Sequence, residues 1–189
     1  MRRAKTRVSA WAVGFPPVEP KRARRLILGT LPSAESIRQG QYYAHPRNAF
    51  WPIMGALFGA GRDRPYAARL RILAAHGIML WDVLRAAHRP GSRDAAIHLR
   101  RLAPNRIPEL LARHPELETI AFNGGPAEAL FRRHVAQRCG ARLANVKLVR
   151  LPSTSPAHAS RTCAQKLACW RRAFPPPRPR RRAPKPAVF

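Results

Sequence analysis

With 189 residues, 46% of them hydrophobic, the chain is long enough for one globular domain with a real core and short for two. Thirty-six Lys and Arg stand against nine Asp and Glu, a formal net charge of +27; such a field attracts polyanions through phosphate contacts and counterion release. Three cysteines (Cys139, Cys163, Cys169) are too few for an all-Cys iron–sulfur cluster, match no common zinc spacing and fit a reducing compartment. No stretch approaches the ~20 apolar residues of a membrane span, and the start MRRAKTRVSAWAVG lacks an apolar signal core, so the expectation is a cytoplasmic protein.

The basic residues are partly concentrated at the ends. Residues 1–13 read as a basic extension, residues 14–174 as a single domain, and residues 175–189 (PPPRPRRRAPKPAVF), with six Pro, five Lys/Arg and no acid, as a tail that cannot pack a core. Without residues 1–25 and 175–189 the body still holds 23 basic and 8 acidic residues, a charge of +15. An Arg-rich composition accounts for part of this excess but not for the scarcity of acids, which points to a nucleic-acid partner.

In chain order, residues 24–30 (RRLILGT), 77–81 (GIMLW), 119–123 (TIAFN) and 146–151 (VKLVRL) are continuous apolar runs, as expected of parallel strands covered on both faces. Between the first two, Phe50, Ile53, Met54, Leu57 and Phe58 share one helical face, and Leu70, Leu73 and Ala74 continue the packing. Residues 108–114, 126–138 and 164–174 supply further helices. The alternation predicts an α/β fold: a three-layer α/β/α domain around a four-stranded parallel sheet.

The active site of such a sheet lies beyond the C-terminal ends of its strands, which nominates residues 29–48, 81–94, 123–126 and 151–160. The first loop is long for a compact domain. It contains Tyr42 and Tyr43, either able to stack on an extruded base, and Asn48, which reads equally as a helix N-cap or as a site amide. The second opens with Asp82, an acid at a strand end in an acid-poor chain. The third, with Asn123 and two glycines, reads as a tight turn. In the fourth, LPSTSPAHAS, the hydroxyls of Ser153, Thr154 and Ser155 can donate to DNA phosphates, and His158 is the ionisable group. These loops offer amides, hydroxyls and aromatics, an inventory suited to holding a neutral base beside a phosphate-rich partner.

The segments LILGTLPSAES, QYYAHPRNAFW, GIMLWDVL, FNG and LPSTSPAHA, taken together, resemble the uracil-DNA glycosylase superfamily, and most closely its DNA-deoxyinosine (hypoxanthine-DNA) glycosylase branch. The similarity runs from Gly14 to about Phe174. It implies a catalytic amide at Asn48, a base stacked on Tyr43 with Phe50 in the same pocket, base reading at Asp82, and DNA-backbone contacts from Ser33, Ser153, Thr154, Ser155 and His158. Two departures stand out. The stretch GTLPS lacks the Asp or Asn that usually serves water in the superfamily, and Leu151 stands where many members carry a His that stabilises departing uracil. The implied activity is hydrolysis of the N-glycosidic bond of a deaminated base, hypoxanthine first, in double-stranded DNA, by a monofunctional and monomeric enzyme with no metal or cofactor. The alternatives are a mismatch-specific uracil/thymine glycosylase, a catalytically silent DNA-binding relative, and a ribosomal-type RNA binder.

Overall fold

The computed structural model describes residues 11–91 and 93–175. The Pro/Arg tail from residue 176 and residues 1–10 of the basic extension lie outside the described residues. The chain begins with β1 (Trp11–Val13) and β2 (Arg25–Gly29), followed by α1 (Ala34–Gln39), α2 (Phe50–Phe58) and α3 (Tyr66–Ala75). Next come β3 (Ile78–Asp82), β4 (Leu84–His88), β5 (Leu102–Pro104) and α4 (Ile107–Arg113). The last third holds β6 (Thr119–Asn123), α5 (Gly125–His134), α6 (Ala136–Cys139), β7 (Lys147–Leu151) and α7 (Cys163–Ala173).

The four apolar runs form the parallel sheet that the sequence predicts, in the order β3-β2-β6-β7. Successive side chains of a strand face opposite sides, and each side has its own core. Leu26, Leu28, Met79, Trp81, Ile120 and Phe122 pack with α4 and α5. Ile27, Ile78, Leu80 and Ala121 pack against Phe50, Trp51, Ile53 and Met54 of α2, with Trp170 and Phe174 closing that side. Burial on both faces is why these strands read as unbroken apolar runs.

Three segments differ from what the sequence predicts. Residues 81–94 are not simply a loop: β4 begins two residues after β3 and joins β1 and β5 in a second, antiparallel sheet of order β1-β4-β5. Trp11–Val13, read as part of the extension, is therefore a paired strand, with Trp11 opposite His88. The long first loop contains α1, with Ser33 as its N-cap and Gly40 ending it in the left-handed conformation (φ 63°). α7 carries a capping box in which Thr162 and Gln165 bond reciprocally.

Candidate active site

Parallel pairing brings the strand ends together, with Gly29 beside Asp82 and Asn123 beside Leu151. Beyond them opens a cavity of about 470 Å³, within the range of small-ligand clefts. Every residue nominated from sequence except Phe50 lines it.

Asn48 stands one residue before Ala49, the N-cap of α2, and lines the cavity. Its Oδ1 accepts a hydrogen bond from the Phe50 N–H (3.0 Å), an Asx turn that opens α2. Only the oxygen can accept there, which fixes the orientation of the amide. Nδ2 then has no protein acceptor among the described residues, and it is the donor that Asn48 brings to the cavity wall. The loop around it is bound tightly. The Asn48 N–H donates to the His45 carbonyl (2.9 Å) and the Ala49 N–H to the Thr154 carbonyl (3.0 Å). Arg62 Nη2 donates to the carbonyls of His45 (2.7 Å) and Asn48 (3.2 Å).

Tyr43 has φ 55°, the positive value that a non-glycine residue rarely adopts. Trp51 and Tyr66 hold the backbone of its neighbour: Trp51 Nε1 donates to the Tyr42 carbonyl (2.9 Å), and the Tyr42 N–H donates to the Tyr66 hydroxyl (2.9 Å). The Tyr43 ring stacks on Phe50 with centroids 3.9 Å apart and planes at 23°. Phe50 is fully buried and lines no part of the cavity. Its nomination as a base contact is thus corrected: the Tyr43 ring lies over it, so Phe50 braces that ring from behind. The Tyr43 hydroxyl is buried near the Asn123 side chain but makes no hydrogen bond of good geometry among the described residues, and burial pushes it far above the usual tyrosine range.

Asp82 ends β3 at 3% exposure. A Cβ on Gly29 would collide with its Oδ1 and come within 3.2 Å of the Tyr43 hydroxyl, so glycine is what admits both groups. Oδ2 of Asp82 has no hydrogen-bond partner among the described residues. Withdrawal from water pushes the carboxyl up to about 8, with the Asp94 charge adding to the rise and Arg89 opposing it. Arg89 gives its Nη2 and Nη1 to the carbonyls of Pro32 (2.5 Å) and Leu31 (3.4 Å), fixing the start of the first loop.

The fourth loop is held by groups that the sequence did not single out for it. Asn123 and Thr154 bond reciprocally, Nδ2 to Oγ1 at 2.9 Å and backbone N–H to Oδ1 at 2.8 Å. Thr154 is 1% exposed, so its assignment as a backbone contact is corrected: the hydroxyl fastens this loop to the end of β6. The buried Lys166 donates to the His158 carbonyl (2.8 Å), and Trp170 Nε1 to that of Pro152 (3.1 Å). Ser33 uses its hydroxyl to cap α1, accepting from the Ser36 N–H and donating to Ser36 Oγ. Ser153 and Ser155 accept from the N–H groups two residues onward, shaping the turn. His158 faces both the cavity and a second, open groove of about 620 Å³, where Lys147, Arg150, Arg161 and Arg172 gather. Among the described residues no group of three or more His, Cys, Asp or Glu could hold a metal. No helix among them is long and apolar enough to cross a membrane.

The residues missed from sequence are Arg62, Arg89 and Lys166, together with the bonding between Asn123 and Thr154, residues that were themselves named. All act through backbone carbonyls or a partner distant in the chain, a role with no local signature.

The fold and its cleft define an α/β protein with a polar, aromatic-walled pocket at the strand ends. The uracil DNA glycosylase superfamily model matches residues 16–174, and the chain belongs to that superfamily. A protein named hypoxanthine DNA glycosylase from Methanosarcina acetivorans is 42% identical over 123 residues, 63% of this chain and 77% of that protein. One of the same name from Methanosarcina barkeri is 40% identical over 112 residues, 59% of this chain and 70% of that protein. A solution NMR structure from Methanosarcina acetivorans, described as a candidate uracil DNA glycosylase, superposes with a TM-score of 0.68 at 34% identity, covering 86% of this chain and 98% of that one.

Proposed function

We propose that this chain is a DNA-deoxyinosine glycosylase, which hydrolyses the N-glycosidic bond of a deaminated base in duplex DNA as the first step of base excision repair. The 40–42% identity to proteins named hypoxanthine DNA glycosylase supports the activity. The observation that carries the site assignment is the Asn48 amide, fixed by its Asx turn in the cavity wall with Nδ2 unengaged among the described residues.

The target nucleotide leaves the helix at a cost of a few kcal/mol, least where the base is mispaired. Phe50 covers one face of Tyr43, so the other face receives the base, a contact of about 1–3 kcal/mol. The bond from C1′ to the base nitrogen breaks with oxocarbenium character on the sugar. Water adds at C1′, and its proton leaves with the base. A carboxamide does not ionise usefully and cannot serve as a general base. Asn48 acts as a fixed dipole: Nδ2 donates to the departing base, while Oδ1 retains a lone pair that can hold the attacking water.

Ser153, Ser155 and His158 on the fourth loop face the strand that enters, and the neighbouring basic groove continues the path for its phosphates. Lys166 lies under that loop on backbone carbonyls rather than in the cavity lining, which supports hydrolysis over Schiff-base chemistry. The same reading includes a monomeric, cytoplasmic enzyme. The test is single-turnover release of hypoxanthine from a duplex with one deoxyinosine. Asn48→Ala is expected to slow it by roughly 10²–10³-fold, the range for removing one fixed donor. A folded Asn48→Ala enzyme with wild-type rates removes the assignment.

A further inference from the structure

Asp82 occupies the floor of the cavity in a form unusual for a carboxylate in so basic a chain. No Lys, Arg or His makes an ion pair with it among the described residues. The nearby guanidinium of Arg89 is turned to the Leu31 and Pro32 carbonyls. Oδ2 is buried without a hydrogen-bond partner among the described residues, and the space a Cβ would fill at Gly29 is taken by the carboxyl Oδ1, with the Tyr43 hydroxyl also close to it. A buried anion would be expected to recruit a paired cation or several donors; among the described residues this group has neither an ion pair nor a donor to Oδ2, and Arg89 acts on it only from a distance.

We propose that Asp82 reads the extruded base as a neutral carboxylic acid, its O–H donating to the base carbonyl while its C=O accepts from the adjacent ring N–H. This deepens the glycosylase reading and rests on it. The protonated acid offers one donor and one acceptor side by side, complementary to the –NH–C=O edge shared by hypoxanthine (N1–H, O6), xanthine and uracil (N3–H, O4). Ionised, it offers only acceptors and repels the carbonyl. Guanine carries the same edge, so its rejection comes from the cost of opening a sound pair rather than from Asp82.

The chemistry of the pocket keeps the proton in place. Burial pushes the Asp82 carboxyl up to about 8. From the turn after β4, Asp94 works in the same direction and Arg89 against it, while Arg93 lines the cavity wall. From the first loop, Tyr42 and Tyr43 are raised far above their usual range by burial and stay neutral. His45 and His158 stand at other parts of the wall. At pH 7 the acid form dominates, and alkaline pH removes it.

The experiment is single-turnover excision from a deoxyinosine duplex between pH 6.5 and 10 by wild type, Asp82→Asn and Asp82→Ala, with folding followed by circular dichroism. An Asn in place of Asp82 keeps a donor and an acceptor but cannot ionise. Wild-type rates are expected to fall about tenfold per pH unit above the acid's titration. Asp82→Asn loses that fall, so the ratio of its rate to wild type climbs tenfold per pH unit; titration of the substrate's own ring N–H affects both alike and cancels. Asp82→Ala is slower by roughly 10²-fold at pH 6.5. Wild-type rates that rise through pH 8 with an inactive Asp82→Asn overturn the proposal in favour of a general base, and parallel profiles overturn it outright. Absence of base release from any lesion duplex at every pH counts against the glycosylase reading instead. The carboxyl ¹³C titration of Asp82 in the free protein then decides the protonation on its own: a carboxyl that ionises below pH 6 refutes the proposal.

Discussion

Replacing Asp82 by Asn makes the folded protein more stable, and increasingly so as pH rises. A free aspartate ionises near 3.8, whereas the buried Asp82 carboxyl is held up to about 8. Between those values the native protein binds a proton that the unfolded chain has released, so stability falls with pH by about 1.4 kcal/mol per unit from this group alone. The penalty is absent below pH 4, reaches about 4 kcal/mol at pH 7 and levels off above pH 8. Asp82 is almost fully buried, so solvent screening relieves little of it. Asn in the same place carries no such cost. Thermal melts of wild type and Asp82→Asn in matched buffers subtract every other titration. The gap is expected to widen by about 3 kcal/mol between pH 5 and pH 7, roughly 6–12 °C in melting temperature for a domain of this size. A gap that stays constant or narrows with pH refutes a neutral, buried Asp82.

Asn48→Asp keeps an oxygen for the Phe50 N–H and loses the Nδ2 donor, so it is expected to melt within 1–2 °C of wild type while single-turnover excision falls at least about 10²-fold; Asn48→Ala loses both, with about 1 kcal/mol of stability. Phe50→Ala removes a fully buried ring and the back of the Tyr43 platform, at a cost of about 3–5 kcal/mol in denaturant unfolding. A loss below about 1 kcal/mol would place Phe50 outside the core. Arg161→Ala with Arg172→Ala is expected to lower the slope of log affinity against log salt by up to about two for undamaged duplex, as each lost phosphate contact removes about 0.9. An unchanged slope means that the groove carries no DNA.

The four parallel strands were legible because burial on both faces leaves unbroken apolar runs, and the structure shifts their ends by at most one residue. The second sheet was not. Its strands WAV and LAP are three residues long, and LRAAH shows no sustained alternation; they are defined by pairing, β1 and β5 each joining an edge of β4. Helix α1 has six residues, too few for a periodic face, and only the Ser33 cap and the Gly40 stop mark it. Within the site, Asn48 and Tyr43 were reached through the family resemblance, since residue chemistry alone left Asn48 between cap and catalyst. The structure makes Ala49 the N-cap and puts Asn48 in an Asx turn just ahead of it, and that turn orients the amide. Phe50 and Thr154 were misplaced for one reason: a sequence shows that an aromatic ring or a hydroxyl lies near a pocket, but not whether a neighbour already covers it. The environment of Asp82 was equally hidden, because missing partners become visible only once every nearby cation has been placed.

The activity proposed for this pocket is removal of deaminated bases from DNA, hypoxanthine first. It is tested most directly by single-turnover excision from matched duplexes carrying one deoxyinosine or one deoxyuridine at the same position. Leu151 at the end of β7, where a His would stabilise departing uracil, predicts faster release of hypoxanthine. Release of uracil alone, or of neither base by folded protein that binds the duplex, contradicts it.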